Sequence, residues 1–220
     1  MIKGLIFDLD GVVVDTAIYH FQAWSRLART LGFEFTEAHN EQLKGVSRME
    51  SLEILLKVGG LSVPNEEKTR LAAIKNLWYL EFISRMTPGE ILPGVNGFIG
   101  LVKSQGYRIA LGTASRNASL ILERIGMQDT FDVIIDGNQA SRAKPDPEIF
   151  LKAAAAIQVE PAACVVFEDA IAGVEAAHRA GIRCVGVGNP QTLSDADIGD
   201  RLQRQRGVSS GAEGCRRLGG

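Results

Sequence analysis

Two aspartates spaced two residues apart, Asp8 and Asp10, follow the apolar run Leu5-Ile6-Phe7 and precede Gly11. Side chains alternate along a strand, so residues two apart point the same way. Two carboxylates on one side of a strand end repel each other unless a positive charge lies between them. A hard divalent cation with oxygen ligands, Mg2+ above all, meets that need. An aspartate clamped by such a metal beside a second one supports covalent phosphoryl chemistry, in which one carboxylate attacks phosphorus and the other shuttles a proton. Taken alone, such a pair more often caps the next helix or solvates a loop, so the rest of the chain has to decide.

Three further segments bear on the decision. Thr113-Ala114-Ser115 follows the apolar run Arg108 to Gly112 and precedes a helical pattern. A hydroxyl with free N–H groups at a helix start binds phosphate, although Ser115 serves equally well as an ordinary cap. Lys144-Pro145 precedes a helix near Pro147. A lysine there can hold a phosphate or neutralise an attacking carboxylate, whereas most lysines are simply solvated. Glu168-Asp169 ends the run Ala163 to Phe167 and repeats the opening acid pair. Four acids converging on one crevice need a cation. Each signal is modest; their order along the chain (acid pair, hydroxyl, lysine, acid pair, each at a strand end) is specific.

The elements that must position these residues can be read from hydrophobic periodicity. A buried strand is expected at about 2–9. From there to about residue 87 the chain reads as helix: Phe21, Trp24, Ala28 and Leu31 are at helical spacing, Ser51 to Lys57 and Glu66 to Met86 are the clearest segments, and Gly59-Gly60 and Pro64 break them. Beyond Pro88, Pro93 and Gly94 helices and strands alternate. Helices near 95–104, 117–125, 147–157 and 170–179 lead to strands at Arg108 to Gly112, Phe131 to Asp136, Ala163 to Phe167 and Arg183 to Val187. Continuous apolar strands alternating with helices predict an α/β fold, a doubly wound, Rossmann-like parallel sheet covered on both faces. The first strand joins that sheet. The division expected is a core of residues 1–16 and 88–200 with an α-helical cap inserted at 17–87. Ligands in such sheets bind outside the carboxyl ends of the strands, where all four chemical segments fall.

The 220 residues are 45% hydrophobic and 23% charged, ordinary for a globular protein. No apolar run approaches the roughly 20 residues that span a bilayer, and the N-terminus enters a strand pattern at once rather than reading as a secretory signal. Cys164, Cys184 and Cys215 lack metal-ligand spacing, and a reduced, cytoplasmic setting is expected. Net charge is −2; residues 201–220 carry five arginines against Glu213, leaving −6 on the remainder. Neither value argues for nucleic acid as a partner, no membrane partner is indicated, and nothing demands more than a monomer. The tail 201–220, with five glycines and few large apolar residues, is expected to be disordered.

With Phe7-Asp8-Leu9-Asp10-Gly11-Val12, Thr113, Lys144 and Glu168-Asp169 as its four motifs, the chain resembles the haloacid dehalogenase superfamily of phosphotransferases. Its helical segment is similar to the caps of the hexose-phosphate mutases in that superfamily. Lys44-Gly45-Val46-Ser47-Arg48 is the most specific piece, with Thr16, His20, Trp24, Ser51 and Lys75 around it, and Thr113-Ala114-Ser115-Arg116-Asn117 also fits. Read without the resemblance, Lys44 to Arg48 is an ordinary helix–helix loop, His20 a satisfied core histidine, Lys75 a solvated helix residue and Trp24 core. The chain departs from the family at Arg116, where lysine is usual, and at Gly112-Thr113, where Ala-Ser is common; both changes keep the chemistry. After Asp195-Ala196-Asp197-Ile198 the family continues with an apolar strand and a closing helix, whereas here the sequence turns to Arg, Gln, Gly and Ser.

The resemblance implies roles. Asp8 is the expected nucleophile, forming an aspartyl phosphate, and Asp10 the general acid and base. Mg2+ is expected on Asp8, the Asp10 carbonyl, Glu168 and Asp169. Thr113, Ala114 and Lys144 would hold the transferring phosphate; Arg48, Ser115, Arg116 and Asn117 the other one. His20, Trp24, Val46, Ser51 and Lys75 would line the sugar pocket, with Lys44, Gly45 and Ser47 in the cap loop and Thr16 at the hinge. The implied activity moves a phosphate between O1 and O6 of glucose, with glucose 1,6-bisphosphate as intermediate and activator. A sugar-phosphate phosphatase on the same core is the alternative. A metal-free dehalogenase has no use for Asp10, Glu168 and Asp169 together, and the intact acids argue against a binding protein that has lost its chemistry.

Overall fold

The computed structural model describes residues 1–43 and 46–197. The expected disorder of 201–220 and the contacts of Lys44 and Gly45 lie outside the described residues. Five parallel strands, β1 (Gly4–Phe7), β2 (Arg108–Gly112), β3 (Val133–Ile135), β4 (Cys164–Glu168) and β5 (Arg183–Gly186), stand in the order β3-β2-β1-β4-β5. β1, at the centre, is buried on both faces. Leu5 and Phe7 pack with Ile99 and Val102 of α5 (Val95–Ser104) and with Ile121 and Leu122 of α6 (Ala118–Arg124). Ile6, between them in sequence, faces the other side, against Ile149 and Phe150 of α7 (Glu148–Ala156) and Val174 and Ala177 of α8 (Ile171–Arg179).

From β1 the chain builds outward through β2 to β3, then returns to place β4 on the other flank of β1. The order therefore reverses between β1 and β4, and the crevice at such a reversal is where open α/β sheets bind ligands. Register makes this concrete: Phe7 pairs with Phe167 on one side and Leu111 on the other. Asp8 thus emerges beside Glu168, and Thr113 lies just past the end of the neighbouring strand.

The first strand is shorter than the expected 2–9. Its pairing continues to the Asp8 N–H, which donates to the Phe167 carbonyl at 3.0 Å, and then the backbone turns at Gly11. Gly11 takes a positive φ of 75°, and a Cβ there would fall 2.1 Å from the Asp169 carboxylate, so the turn and the close approach both require glycine. The other strands match expectation to within one or two residues.

Between β1 and α5 the chain forms α1 (Ala17–Thr30), α2 (Glu37–Asn40), α3 (Arg48–Val58) and α4 (Asn65–Ile83). They bury an apolar cluster of their own, in which Trp24, Leu27 and Ala28 of α1 meet Leu52, Leu55 and Leu56 of α3 and Leu71 and Ala72 of α4. Two adjacent crossings connect it to the sheet: Val14 bridges Ile91, and the Leu92 N–H donates to the Val13 carbonyl at 2.9 Å. The Tyr19 hydroxyl on α1 donates to the Glu90 carboxylate across the same junction.

Candidate active site

At the β1–β4 crevice the Lys144 ammonium donates to Asp8 Oδ1 at 2.6 Å and to Glu168 Oε2 at 2.8 Å, with all three side chains buried. Asp8, Glu168 and Asp169 each offer a carboxylate oxygen, and these oxygens lie within 4.8 Å of one another. Lys144 reaches two of these acids, and the clustered donors are all hard oxygens. Residues of that kind, clustered that tightly, fit Mg2+.

The surroundings set the charges apart. Burial pushes Asp10 up to about 7, helped by the neighbouring Asp8 and Asp169 charges and opposed by the hydroxyl of Thr16, which donates to its carboxylate. A carboxyl near 7 can give and take a proton at neutral pH. Burial likewise raises Glu168, to about 8. For Lys144 burial acts in the opposite sense, yet Asp8 and Glu168 outweigh it and hold the ammonium protonated above its ordinary range.

Thr113 is buried at the β2 end, and its Oγ1 accepts from the Ser115 N–H at 3.2 Å; the Ser115 hydroxyl in turn accepts from the Asn117 N–H at 3.3 Å. Ser115 therefore orders the loop before α6, while Ala114 and Arg116 stay exposed. Arg48, read in the sequence as a loop residue, is the first residue of α3, and Ser47 caps that helix by accepting from the Glu50 N–H at 3.3 Å. Burial and then the nearby Arg116 guanidinium lower the proton affinity of Arg48. A cap arginine and a core arginine thus share one electrostatic neighbourhood, and two such forks suit an anion.

Deeper in the cap, Lys75 is 1% exposed and donates to His20 Nδ1 at 2.8 Å. Its ammonium lies 4.6 Å from the ring centroid of Trp24 and 4.8 Å from that of Tyr79. Burial, then Arg48, lowers Lys75 to about 7; burial, then Lys75 and Arg48, holds His20 well below its usual value, so the imidazole is neutral and accepts. Lys75 is therefore not the solvated helix residue its sequence position suggests. Trp24 and Ser51 are buried too, and Val46 is exposed. Sequence reading missed Tyr79, which is fully buried, stacks on His20 at 4.1 Å and donates to Thr16 Oγ1 at 3.3 Å. Its position four residues after Lys75, on the same helix face, is the signal that could have found it.

A family profile described as "Hydrolase: haloacid dehalogenase-like hydrolase" matches residues 2–181. The chain is 45% identical over 198 residues to a protein of Bacillus subtilis named "Beta-phosphoglucomutase", covering 89% of this chain and 88% of that one. It is 36% identical to the "Phosphorylated carbohydrates phosphatase" of Thermotoga maritima, over 84% and 85% of the two chains. Among solved structures, the beta-phosphoglucomutase of Clostridium difficile superposes with a TM-score of 0.85 at 41% identity, covering 94% of this chain and 96% of that one.

Proposed function

The chain belongs to the haloacid dehalogenase-like hydrolases and is a phosphotransferase homologous to beta-phosphoglucomutase, and from that premise we propose how its own residues interconvert beta-glucose 1-phosphate and glucose 6-phosphate. Residues 1–16 with 88–200 serve as the core in this reading and residues 17–87 as the cap. The observation that carries it is Lys144 donating to Asp8 at the strand end; Arg48, whose proton affinity the Arg116 charge lowers, is taken as the second cationic station. A mutase must grip a phosphate at each end of a bisphosphate that turns around in the site. A phosphatase needs only the first station.

Asp8 is the nucleophile. Its carboxylate oxygen attacks the phosphorus of glucose 1,6-bisphosphate, the bond from phosphorus to the sugar oxygen breaks, and Asp10 gives that oxygen a proton. In reverse, Asp10 takes the proton of the other sugar hydroxyl as its oxygen attacks the aspartyl phosphate and releases Asp8. Lys144 neutralises the charge on the transferring group, and the Thr113 hydroxyl with the Ala114 N–H orients it. Transfer of this kind rests on positioning and charge neutralisation. Asp8, Glu168, Asp169 and the Asp10 carbonyl would hold Mg2+, which when bound supplies further neutralisation of the phosphoryl oxygens. Arg48, Arg116, Ser115 and Asn117 keep the other phosphate, and His20, held from behind by the buried Lys75, faces the sugar. A cap closed over the site keeps water from the aspartyl phosphate.

The test supplies beta-glucose 1-phosphate, Mg2+ and a trace of the 1,6-bisphosphate and follows glucose 6-phosphate with a coupled dehydrogenase. No product above a blank overturns the reading. The similarity to a carbohydrate phosphatase supports the second reading; steady release of inorganic phosphate without isomerised sugar would establish that one instead.

A further inference from the structure

Lys144 sits in a loop of residues 136–147, between β3 and α7, that must place one ammonium between two carboxylates. The loop is gripped from the first turn of α7. Oε2 of Glu148 accepts from the Ser141 N–H at 3.0 Å, the Ser141 hydroxyl at 2.8 Å and the Arg142 N–H at 2.8 Å. Oε1 accepts from Lys152, one helical turn on, at 2.5 Å, and the same ammonium donates to the Gln139 carbonyl at 2.6 Å. Asp146 completes the clasp: its Oδ1 accepts from the Glu148 N–H at 3.0 Å and its Oδ2 from the Arg142 guanidinium at 3.0 Å. One carboxylate so gathers the loop two residues before Lys144. It stays ionised at any working pH, because the Lys152 bond and then those of Ser141 and Arg142 lower it to about 2.

We propose that Glu148 is a positioning residue for phosphoryl transfer: by holding Ser141 and Arg142 to α7, it sets where the Lys144 ammonium stands between Asp8 and Glu168. Loss of the clasp leaves the β-sheet and the cap cluster intact and loosens only the delivery of Lys144. Displacement of a catalytic group by about an ångström can cost on the order of a hundredfold in rate. The inference rests on the reading that Lys144 holds the transferring phosphate.

The experiment measures kcat and KM for beta-glucose 1-phosphate, with the thermal midpoint, for wild type, Lys144→Ala and Glu148→Gln. The amide keeps the shape of Glu148 but not its capacity to accept three donors on one charged oxygen. The expected result is a kcat lower by about tenfold or more, a KM within about threefold and a folded protein. A purely structural role would lower the thermal midpoint and leave kcat alone, which overturns the proposal. Should Glu148→Gln unfold, Ser141→Ala removes one of the same bonds: kcat lower by about threefold at unchanged KM supports the proposal, and unchanged kcat overturns it. A wild type without product removes the mutase reading and this inference together. An active wild type, an inactive Lys144→Ala and a fully active Glu148→Gln overturn only the role of Glu148.

Discussion

Gly173, in the first turn of α8, lies directly against Glu168: a Cβ on it would come within 2.0 Å of the Glu168 carboxyl carbon. The helix after β4 can therefore pack onto the acid at that strand's end only because residue 173 has no side chain. Gly173→Ala should push the Glu168 carboxylate off Lys144 and out of the acidic cluster. The expected outcome is a loss of about 1–3 kcal/mol of stability in denaturant unfolding and at least tenfold weaker activation by Mg2+. Activation by Mg2+ equal to wild type would show that Glu168 does not need its present place.

Asp8→Asn keeps the shape and the Lys144 contact but removes the nucleophilic oxygen charge. Turnover should vanish, and labelled phosphate should no longer appear covalently on the chain after incubation with glucose 1,6-bisphosphate. A variant that still turns over removes Asp8 as the carrier.

Chelation with EDTA should abolish activity and added Mg2+ should restore it, because Asp8, Glu168 and Asp169 gather carboxylate oxygens within 4.8 Å of one another. Asp169→Asn should raise the Mg2+ concentration for half-maximal activity by at least about tenfold, while Lys103→Met, remote from the crevice, should not. Undiminished activity in excess EDTA would contradict the metal assignment.

Arg48→Ala should separate the two stations. Aspartyl phosphate still forms at Asp8, but the sugar's other phosphate loses its cap arginine. Glucose 6-phosphate formation should fall by about a hundredfold, and the share of turnover ending as inorganic phosphate should rise. Equal losses of both products would place Arg48 outside the second phosphate site.

Lys75 gives a pH signature. Its folded-state value is lowered to about 7 from 10.5. Between those values the unfolded chain binds a proton that the folded chain does not, so stability rises with pH across that window. His20, also lowered, contributes a rise at lower pH that ends near its ordinary 6.5. Urea unfolding of wild type from pH 7 to 9.5 should show a gain that Lys75→Met lacks, on the order of a few kcal/mol. Parallel pH dependence in the two proteins would mean that Lys75 stays charged where it lies.

Much of this arrangement was legible in the chain itself. Continuous apolar runs leading to Asp8, Thr113 and Glu168 placed the strands and the end of the sheet where the chemistry gathers, because an apolar run and the polar residue that ends it are local properties. Tyr79, Glu148 and Gly173 were not legible. Each acts through a residue distant in sequence or through empty space: Tyr79 through Thr16, Glu148 through a loop curled back onto a helix, Gly173 through the volume it leaves for Glu168. Lys75 shows the same division. By itself it reads as a solvated lysine, and only the packing of α1 on α4 places it under Trp24, against Tyr79 and on His20. The sequence alone determined which residues stand at the strand ends and hence the class of chemistry. The tertiary structure decided which groups are buried, which ammonium faces which carboxylate and what holds it there, since burial and long-range contact arise only when separate elements pack.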